Sequence, residues 1–587
     1  MCGIAGIMTT VGASPASAML EAMGKAMHHR GPDGSGHYVK GNVGMVQTRL
    51  AIIDLATGDQ PLYGPDGTAL VANGEIYNYI ELRAAMADAV FKTASDCELP
   101  LHLYPTHGFG FARYLRGMYA IALHDPASAR LILARDPFGI KPLYYAETAQ
   151  GFAFASEPEV LIASGFVKAE LALDARDELL QMQFTTGRDT IFKGIQRVLP
   201  GETLIVERGH VAERRQLPAL PENDVAVRDE NAALDALDNV LEDSVKVHQR
   251  SDVPYGMFLS GGVDSSVVLA MMARLNTRPV KTFTAGFAGT NVADERPLAR
   301  KVAENFGAEQ IEVEFGAEDF WRLLPEIAGA MDDPAADYAI LPTYKLAAAA
   351  RDAGLKVILS GEGGDELFGG YGRYRSAMRP WWRGGRRMRR RGTLERLGIL
   401  RQPLAGWRDG MAGAERMAKS GNRTRLQIAQ AVDCADWLPN DLLTKLDRCL
   451  MAHGIEGRTP FLDPAVAAFA YHLPDDLKVR DGMGKYLLRR WLAQKAPVAE
   501  PFSKKRGFTV PVGEWIAARG AQLGPLVAAQ ESLREICRPD AVTALFRDGN
   551  RRHAGFATWA LLFYALWHRR HILRQPTAPD VFAALGG

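Results

Sequence analysis

The segment Phe258-Leu259-Ser260-Gly261-Gly262-Val263-Asp264-Ser265-Ser266 limits the second half of this chain to few folds. An apolar run, Val253–Leu259, ends on paired glycines and gives way to a helical pattern, Ser265–Arg274. The alternation continues. Val280–Gly286 reads as a strand, Glu295–Asn305 as a helix, and Gln310–Glu314 and Lys356–Leu359 as strands. Strands alternating with helices predict a parallel sheet covered on both faces. Ligands of such sheets collect beyond the carboxyl ends of the strands. Glycines let the backbone approach a charged group, and a helix start offers unpaired N–H groups to phosphate oxygens. Ser260, Ser265 and Ser266 add hydroxyls. Asp264 would repel phosphate without a cation, and Mg²⁺ bridging to pyrophosphate meets that need. The segment is neither G-x-x-x-x-G-K-[ST] nor G-x-G-x-x-G.

A companion loop closes a later strand: Leu359-Ser360-Gly361-Glu362-Gly363-Gly364-Asp365-Glu366-Leu367-Phe368-Gly369-Gly370-Tyr371. Both loops are expected over one pocket. Glu362, Asp365 and Glu366 bring carboxylates suited to a metal ligand and a general base.

Residues 1–205 read differently. Gly44–Val46, Ala69–Ala72, Met118–Leu123 and Arg130–Ala134 are short strands between turn signals such as Gly31-Pro32-Asp33-Gly34. Helical patterns cover Pro15–Met27, with Ser14 as N-cap and Pro15 at the first helical position, and Tyr79–Ala89. This predicts a layered α+β domain. Residues 206–232 form a proline-rich connector, and residues 233–587 the second domain. A long helix is predicted from Glu230 to about Arg250.

Lys+Arg is 69 against Asp+Glu 68, so net charge gives no argument for nucleic acid or a membrane surface. The five cysteines are not in C-x-x-C pairs, which fits a reducing cytoplasm and argues against zinc or a disulfide framework. Ala554–Trp567 is too short to span a bilayer and reads as a buried helix. Trp381–Arg391 is strongly basic. A solvated loop or a subunit contact explains it better than a nucleic-acid patch.

Cys2 follows Met1, which methionine aminopeptidase removes before a small residue. Cys2 then carries a thiol beside a free α-amine, which titrates near ~8 and can accept a proton. One residue so holds nucleophile and base, as in N-terminal nucleophile hydrolases.

Taken together, these motifs are similar to those of the glutamine-hydrolysing asparagine synthetases, over nearly the whole chain and in the same order. Met1-Cys2-Gly3-Ile4 resembles the start of class II glutamine amidotransferases, and Ser260–Ser266 the pyrophosphate loop of adenylating synthetases. The resemblance implies an α+β N-terminal nucleophile hydrolase domain followed by an α/β ATP-pyrophosphatase-type domain. It implies glutamine binding at Arg49, Leu50, Ala51, Ile52, Ile53, Glu75 and Asp96. Arg49 would take the α-carboxylate with its guanidinium fork, and Glu75 and Asp96 the α-amino end. Asn73 and Gly74 would hold the oxyanion. ATP would meet Leu259, Ser260, Gly261, Gly262, Asp264, Ser265, Ser266, Ala285, Ser360 and Gly361. Asp264 and Asp365 would hold Mg²⁺, Glu362 would serve the acyl-adenylate and accept an ammonia proton, and Lys485 would neutralise phosphate.

The implied reaction amidates aspartate with glutamine-derived ammonia and releases AMP, pyrophosphate and glutamate. A dry internal passage for ammonia, and a homodimer, are compatible with the resemblance. Rival readings are the same chemistry on another carboxylate, a β-lactam-type ring-closing synthetase, and a non-catalytic binding protein. Intact Cys2, Asn73 and Glu362 count against the last two. Gln47, Pro100 and Pro137 depart from the family pattern, the first two near the glutamine site.

Overall fold

The computed structural model describes residues 2–10, 14–221, 229–383, 385, 387–419, 421–503, 509–548 and 552–586. Met1, connector residues 222–228, Gly384 and Arg386 lie outside them.

The N-terminal half stacks two six-stranded antiparallel sheets. One runs, edge to edge, Gln196–Arg197, Tyr144–Thr148, Gly151–Ala155, Cys2–Thr9, Val43–Arg49, Gly34–Lys40. The other runs His210–Gln216, Glu202–Glu207, Arg130–Arg135, Gly117–Asp125, Ala69–Ile76, Leu62–Tyr63. Side chains alternate across each sheet. Ile4, Met8, Val43 and Met45 therefore meet Val71, Ala120, Ala122 and Leu133 between the sheets. Their neighbours Ala5, Ile7 and Val46 turn outward onto Leu20, Met23, Val160 and Leu161 of helices Ser17–Ala26 and Pro158–Ala163. On the far side Leu70, Ile121 and Ile132 are covered by Leu99, Leu103 and Phe111.

The expected helix over Pro15–Met27 begins instead at Ser17, with Ala16 as an N-cap that makes no side-chain bond. Pro15 is buried against the strand at Gly44, where an added Cβ would meet the proline at 3.1 Å. The second predicted helix ends at Ala85. Residues expected in the connector include the strand His210–Gln216, which pairs with Glu202–Glu207. Composition shows the proline-rich stretch only from Leu217 onward, so the charged edge strand before it gave no contrast.

The second half holds a five-stranded parallel sheet in the order Glu309–Glu314, Lys281–Gly286, Tyr255–Phe258, Val357–Leu359, Glu456–Arg458. Glu230–His248 is a helix, capped by Asp229, whose side chain accepts from the Ala232 N–H. Arg552–His571 is a helix with Trp559 and Trp567 fully buried. No helix among the described residues is long and apolar enough to cross a membrane. The halves share their cores: Ala5 and Leu179 belong to one apolar cluster with Phe283 and Leu324.

Four of the five described arginines of the basic segment, Arg383, Arg387, Arg390 and Arg391, are exposed, as a solvated loop requires. Trp382 is exposed beneath Arg383, whereas Met388 is buried and Arg389 stacks 3.9 Å from the Trp437 ring.

Candidate functional sites

The alternation that fills the sandwich also builds its open end. Cys2 has the parity of Ile4 and Met8, Arg49 that of Val43 and Met45, and Asn73 that of Val71. Cys2 lies opposite Arg49 in the strand register. The three side chains converge where the two sheets part. The Cys2 backbone nitrogen donates to Asn73 Oδ1 at 3.1 Å. Asn73 Nδ2 is left buried without a partner, on the same side chain whose Oδ1 holds the Cys2 nitrogen. Gly74 is required here, since a Cβ would come 2.2 Å from the Met118 carbonyl oxygen. Burial pushes the Cys2 thiol up, while the Leu50 N–H and the Arg49 charge act against that rise.

Arg49 is held in the loop that follows it. It donates to the Asp54 and Ile53 carbonyls, and its other arm meets the exposed Asp59 carboxylate at 2.7 Å. A guanidinium fork of this kind suits a carboxylate. Leu50 and Ile52 are buried in apolar core, Ile53 packs against it, and the Ala51 N–H donates to Asp33 at 2.8 Å. These four shape the loop that frames Arg49.

Asp96 accepts the Ile76 N–H at 2.6 Å, and burial raises its carboxyl to about 6. Glu75 is buried 3.3 Å from Arg458 Nη2 of the second half, and burial raises it well above the usual carboxylate range. Of the departures, Pro100 falls in the first turn of helix Leu99–His107, where a missing N–H costs nothing. Gln47 is buried opposite Ile4, and its Nε2 has no partner.

The second site is a cavity of about 850 Å³ at the carboxyl ends of the parallel strands. Leu259, Ser260, Gly261, Gly262, Asp264, Ser265, Ala285, Ser360, Gly361, Glu362, Asp365 and Lys485 all line it. Ser266 does not: it is buried, and its hydroxyl donates to the Gly262 carbonyl at 2.8 Å. The helix Val263–Leu275 opens into the cavity with Gly262 as N-cap. Ser260 and Ser265 brace each other at 3.0 Å, and Ser260 Oγ accepts the Gly262 N–H. Ser360 Oγ is buried with no partner.

Lys485 Nζ bridges the two glycine loops. It pairs with Asp264, and lies 2.7 Å from Asp365 Oδ1. Lys485 holds φ at 59°, a left-handed conformation costly for a side chain, at the head of helix Tyr486–Lys495. A Cβ on Gly364 would approach Asp264 Oδ1 to 2.6 Å, and one on Gly370 would approach Asp365 Oδ1 to 1.9 Å. Glycine thus makes the room around both carboxylates. Two carboxylates suit Mg²⁺, which completes its shell with phosphates and water.

Sequence reasoning missed Lys445. It is buried, 3.4 Å from Glu362 and 3.1 Å from Asp337. No motif surrounds it. It reaches the cavity through a wide π-helical stretch, Asp433–Leu443, immediately before its own helix, Thr444–Met451. Such widened turns concentrate at functional sites.

The model of the family described as asparagine synthase matches residues 236–569, and that of a glutamine amidotransferase domain matches residues 1–216. The chain belongs to the asparagine synthase family. A putative glutamine-hydrolysing asparagine synthetase of Mycobacterium tuberculosis is 35% identical over 97% of both chains. Asparagine synthetase 1 of Bacillus subtilis is 31% identical over 98% of both. Asparagine synthetase B of Escherichia coli is 29% identical over 84% of this chain and 79% of its own. Family membership rests on both halves, in the order in which the two sites occur.

Proposed function

We propose that this chain makes asparagine from aspartate, with glutamine as nitrogen donor and ATP as activator. The observation that carries this reading is the pairing, in one chain, of Cys2 beside an unspent Asn73 amide with a cavity that gathers both glycine loops, Lys485 and Glu362.

At the first site the nitrogen held by Asn73 Oδ1 becomes the α-amine once Met1 is removed. It takes the thiol proton, and the thiolate attacks the side-chain carbonyl of glutamine. Asn73 Nδ2 and the Gly74 N–H receive the developing oxyanion. Ammonia leaves, and water cleaves the thioester to release glutamate.

At the second site the helix start at Gly262 and the Ser260 and Ser265 hydroxyls face the ATP phosphates, and Lys485 neutralises their charge. Asp264 and Asp365 are the residues to hold Mg²⁺, which when bound offsets pyrophosphate charge. The aspartate side-chain carboxylate attacks the α-phosphorus, giving the acyl-adenylate and pyrophosphate. Ammonia displaces AMP, and Glu362 accepts the proton that the new amide nitrogen sheds.

The test is direct. Purified protein is incubated with ATP, glutamine and a panel of carboxylic acids, and products are identified by mass. Asparagine, AMP, pyrophosphate and glutamate in equal amounts are expected. A different amidated acid, or none, overturns the reading.

A further inference from the structure

The cavity has three distinguishable walls. Leu259, Phe283, Ala285 and Leu346 form the apolar one, suited to adenosine. Ser260–Ser265 and Lys485 form the phosphate wall. A third stretch of the lining, on the Lys445 side of Glu362, holds Gln183, Asp337, Tyr371, Trp437 and Lys445. Its contact with Glu362, the group that serves the acyl-adenylate in the proposed function, makes it the wall to face the acceptor.

An α-amino dicarboxylate presents there a carboxylate and an ammonium on one carbon. The wall offers one cation among its described residues, Lys445, with its Nζ 3.4 Å from Glu362 Oε1 and 3.1 Å from Asp337 Oδ2. A buried ammonium between two carboxylates stays protonated. Asp441 stands in the same charge cluster, fully buried with neither oxygen bonded, and burial and the Asp337 charge push its carboxyl well up. A second carboxylate without an accompanying positive charge would be repelled here. A zwitterion would not, because its two charges match Lys445 and Asp337.

We infer that Lys445 anchors the α-carboxylate of the acceptor, exchanging Asp337 for it while Asp337 takes the α-ammonium. The reacting carboxyl then lies against Glu362, one Nζ contact away. The inference rests on the placement of the adenylate beside Glu362.

The test compares aspartate with 3-aminopropanoate, which keeps the reacting carboxyl and the amine but lacks the α-carboxylate. Ammonium salt supplies nitrogen, and pyrophosphate release is read as kcat/KM. A site that loses its polar partner rejects the truncated analogue strongly, so the native protein should prefer aspartate by at least ~10²-fold. Lys445→Met should cut that preference below ~10-fold. Lys445→Arg should keep most of it. Equal losses on both acceptors would mean that Lys445 only supports Glu362, and would overturn the anchor.

Should Lys445→Met not fold, Asp337→Asn gives the second arm. It should shrink the preference for aspartate over succinate, which lacks the ammonium; an unchanged ratio overturns the pairing. Glu362→Gln separates the two failures. If that variant still makes amide, the site reading falls. If it is inactive and the Lys445→Met ratio is native, only the anchor falls.

Discussion

Arg30 and Asp447, one from each half of the chain, face each other through hydrogen bonds of 2.8 and 3.0 Å. The same guanidinium donates to the Cys2 carbonyl at 3.3 Å and to Glu157 at 2.6 Å. Asp447 also accepts from Arg448, which reaches Asp332 at 2.7 Å. Asp447 and Lys445 share one helix. A buried charge cluster therefore ties the strand Cys2–Thr9 to the helix that bears Lys445. Opposed charges hold the Asp447 carboxyl below its usual range, so the pair is ionised in the fold.

Such a pair adds little net stability, yet removing one partner strands the other charge in low dielectric. Asp447→Ala should lower stability in urea by ~3–5 kcal/mol. The double variant Arg30→Met/Asp447→Leu should recover part of that loss, the remainder reflecting Glu157, which loses its 2.6 Å contact to Arg30. It should also uncouple the halves, giving more glutamate than asparagine per ATP consumed. A double variant as unstable as the single one would show that the cluster is not the cause.

Cys2→Ala should abolish glutamine-dependent synthesis and spare synthesis from ammonium salts. The fold should hold, because Cys2 is a small buried side chain and the Asn73 bond goes to its backbone nitrogen. Equal loss of both activities in a folded protein would refute the assignment. So would intact Met1 in active enzyme, since the α-amine would then be an amide.

The glutamine site should carry a pH signature from Asp96. Burial raises its carboxyl to about 6 against the Ile76 N–H, which favours the ionised form. Only the carboxylate can hold an α-ammonium. With the folded value raised, that form is present above about pH 6 and lost below it. The glutaminase kcat/KM, which reports the free enzyme, should fall about tenfold per pH unit on that acid side. Asp96→Asn should lower the plateau and remove this limb. A limb that survives the substitution belongs to another group.

Much of this was legible before the fold. The strand–glycine–helix junction at Leu259–Ser265 forecast both the parallel sheet and the end of it that forms the cavity. Short strands between turn signals forecast a layered α+β domain, though not that Cys2, Arg49 and Asn73 meet at the open end of a sandwich. That depends on the register between Cys2 and Arg49, which a single strand does not record. Lys445 and Asp337 were invisible because they lie 108 positions apart and become neighbours only through packing. The edge strand His210–Gln216 escaped because it buries little: six of its seven residues are charged, polar or alanine, and most are exposed.

Asp264→Asn probes the phosphate wall. The Lys485 ammonium pairs with both Asp264 and Asp365. Burial alone would lower its pKa, and the two carboxylates outweigh that and raise it. The substitution should suppress pyrophosphate release with either nitrogen source and raise the Mg²⁺ concentration needed for half-maximal rate. Glutamine hydrolysis should be spared. Native adenylation at native Mg²⁺ demand would remove Asp264 from the metal assignment.

Glu362→Gln decides what the companion loop does. Glu362 lies between Gly361 and Gly363, and Gly363 holds φ at 93°, a turn that only glycine makes without strain. The loop so delivers a carboxylate to the cavity, where Lys445 steadies it at 3.4 Å. Ammonia attacking an acyl-adenylate gains a positive charge and must lose a proton before the amide is stable. Glutamine at this position keeps the shape and cannot accept that proton. Amide formation should fall ~10²–10⁴-fold with glutamine and with ammonia alike, the range typical of general acid–base catalysis. Glutamate release at Cys2 should continue, because its machinery lies in the other half. Measuring glutamate and asparagine in the same reaction separates the cases. Asparagine at near the native rate would reduce Glu362 to a turn residue, and the proton would then have to leave to Asp337 or to water.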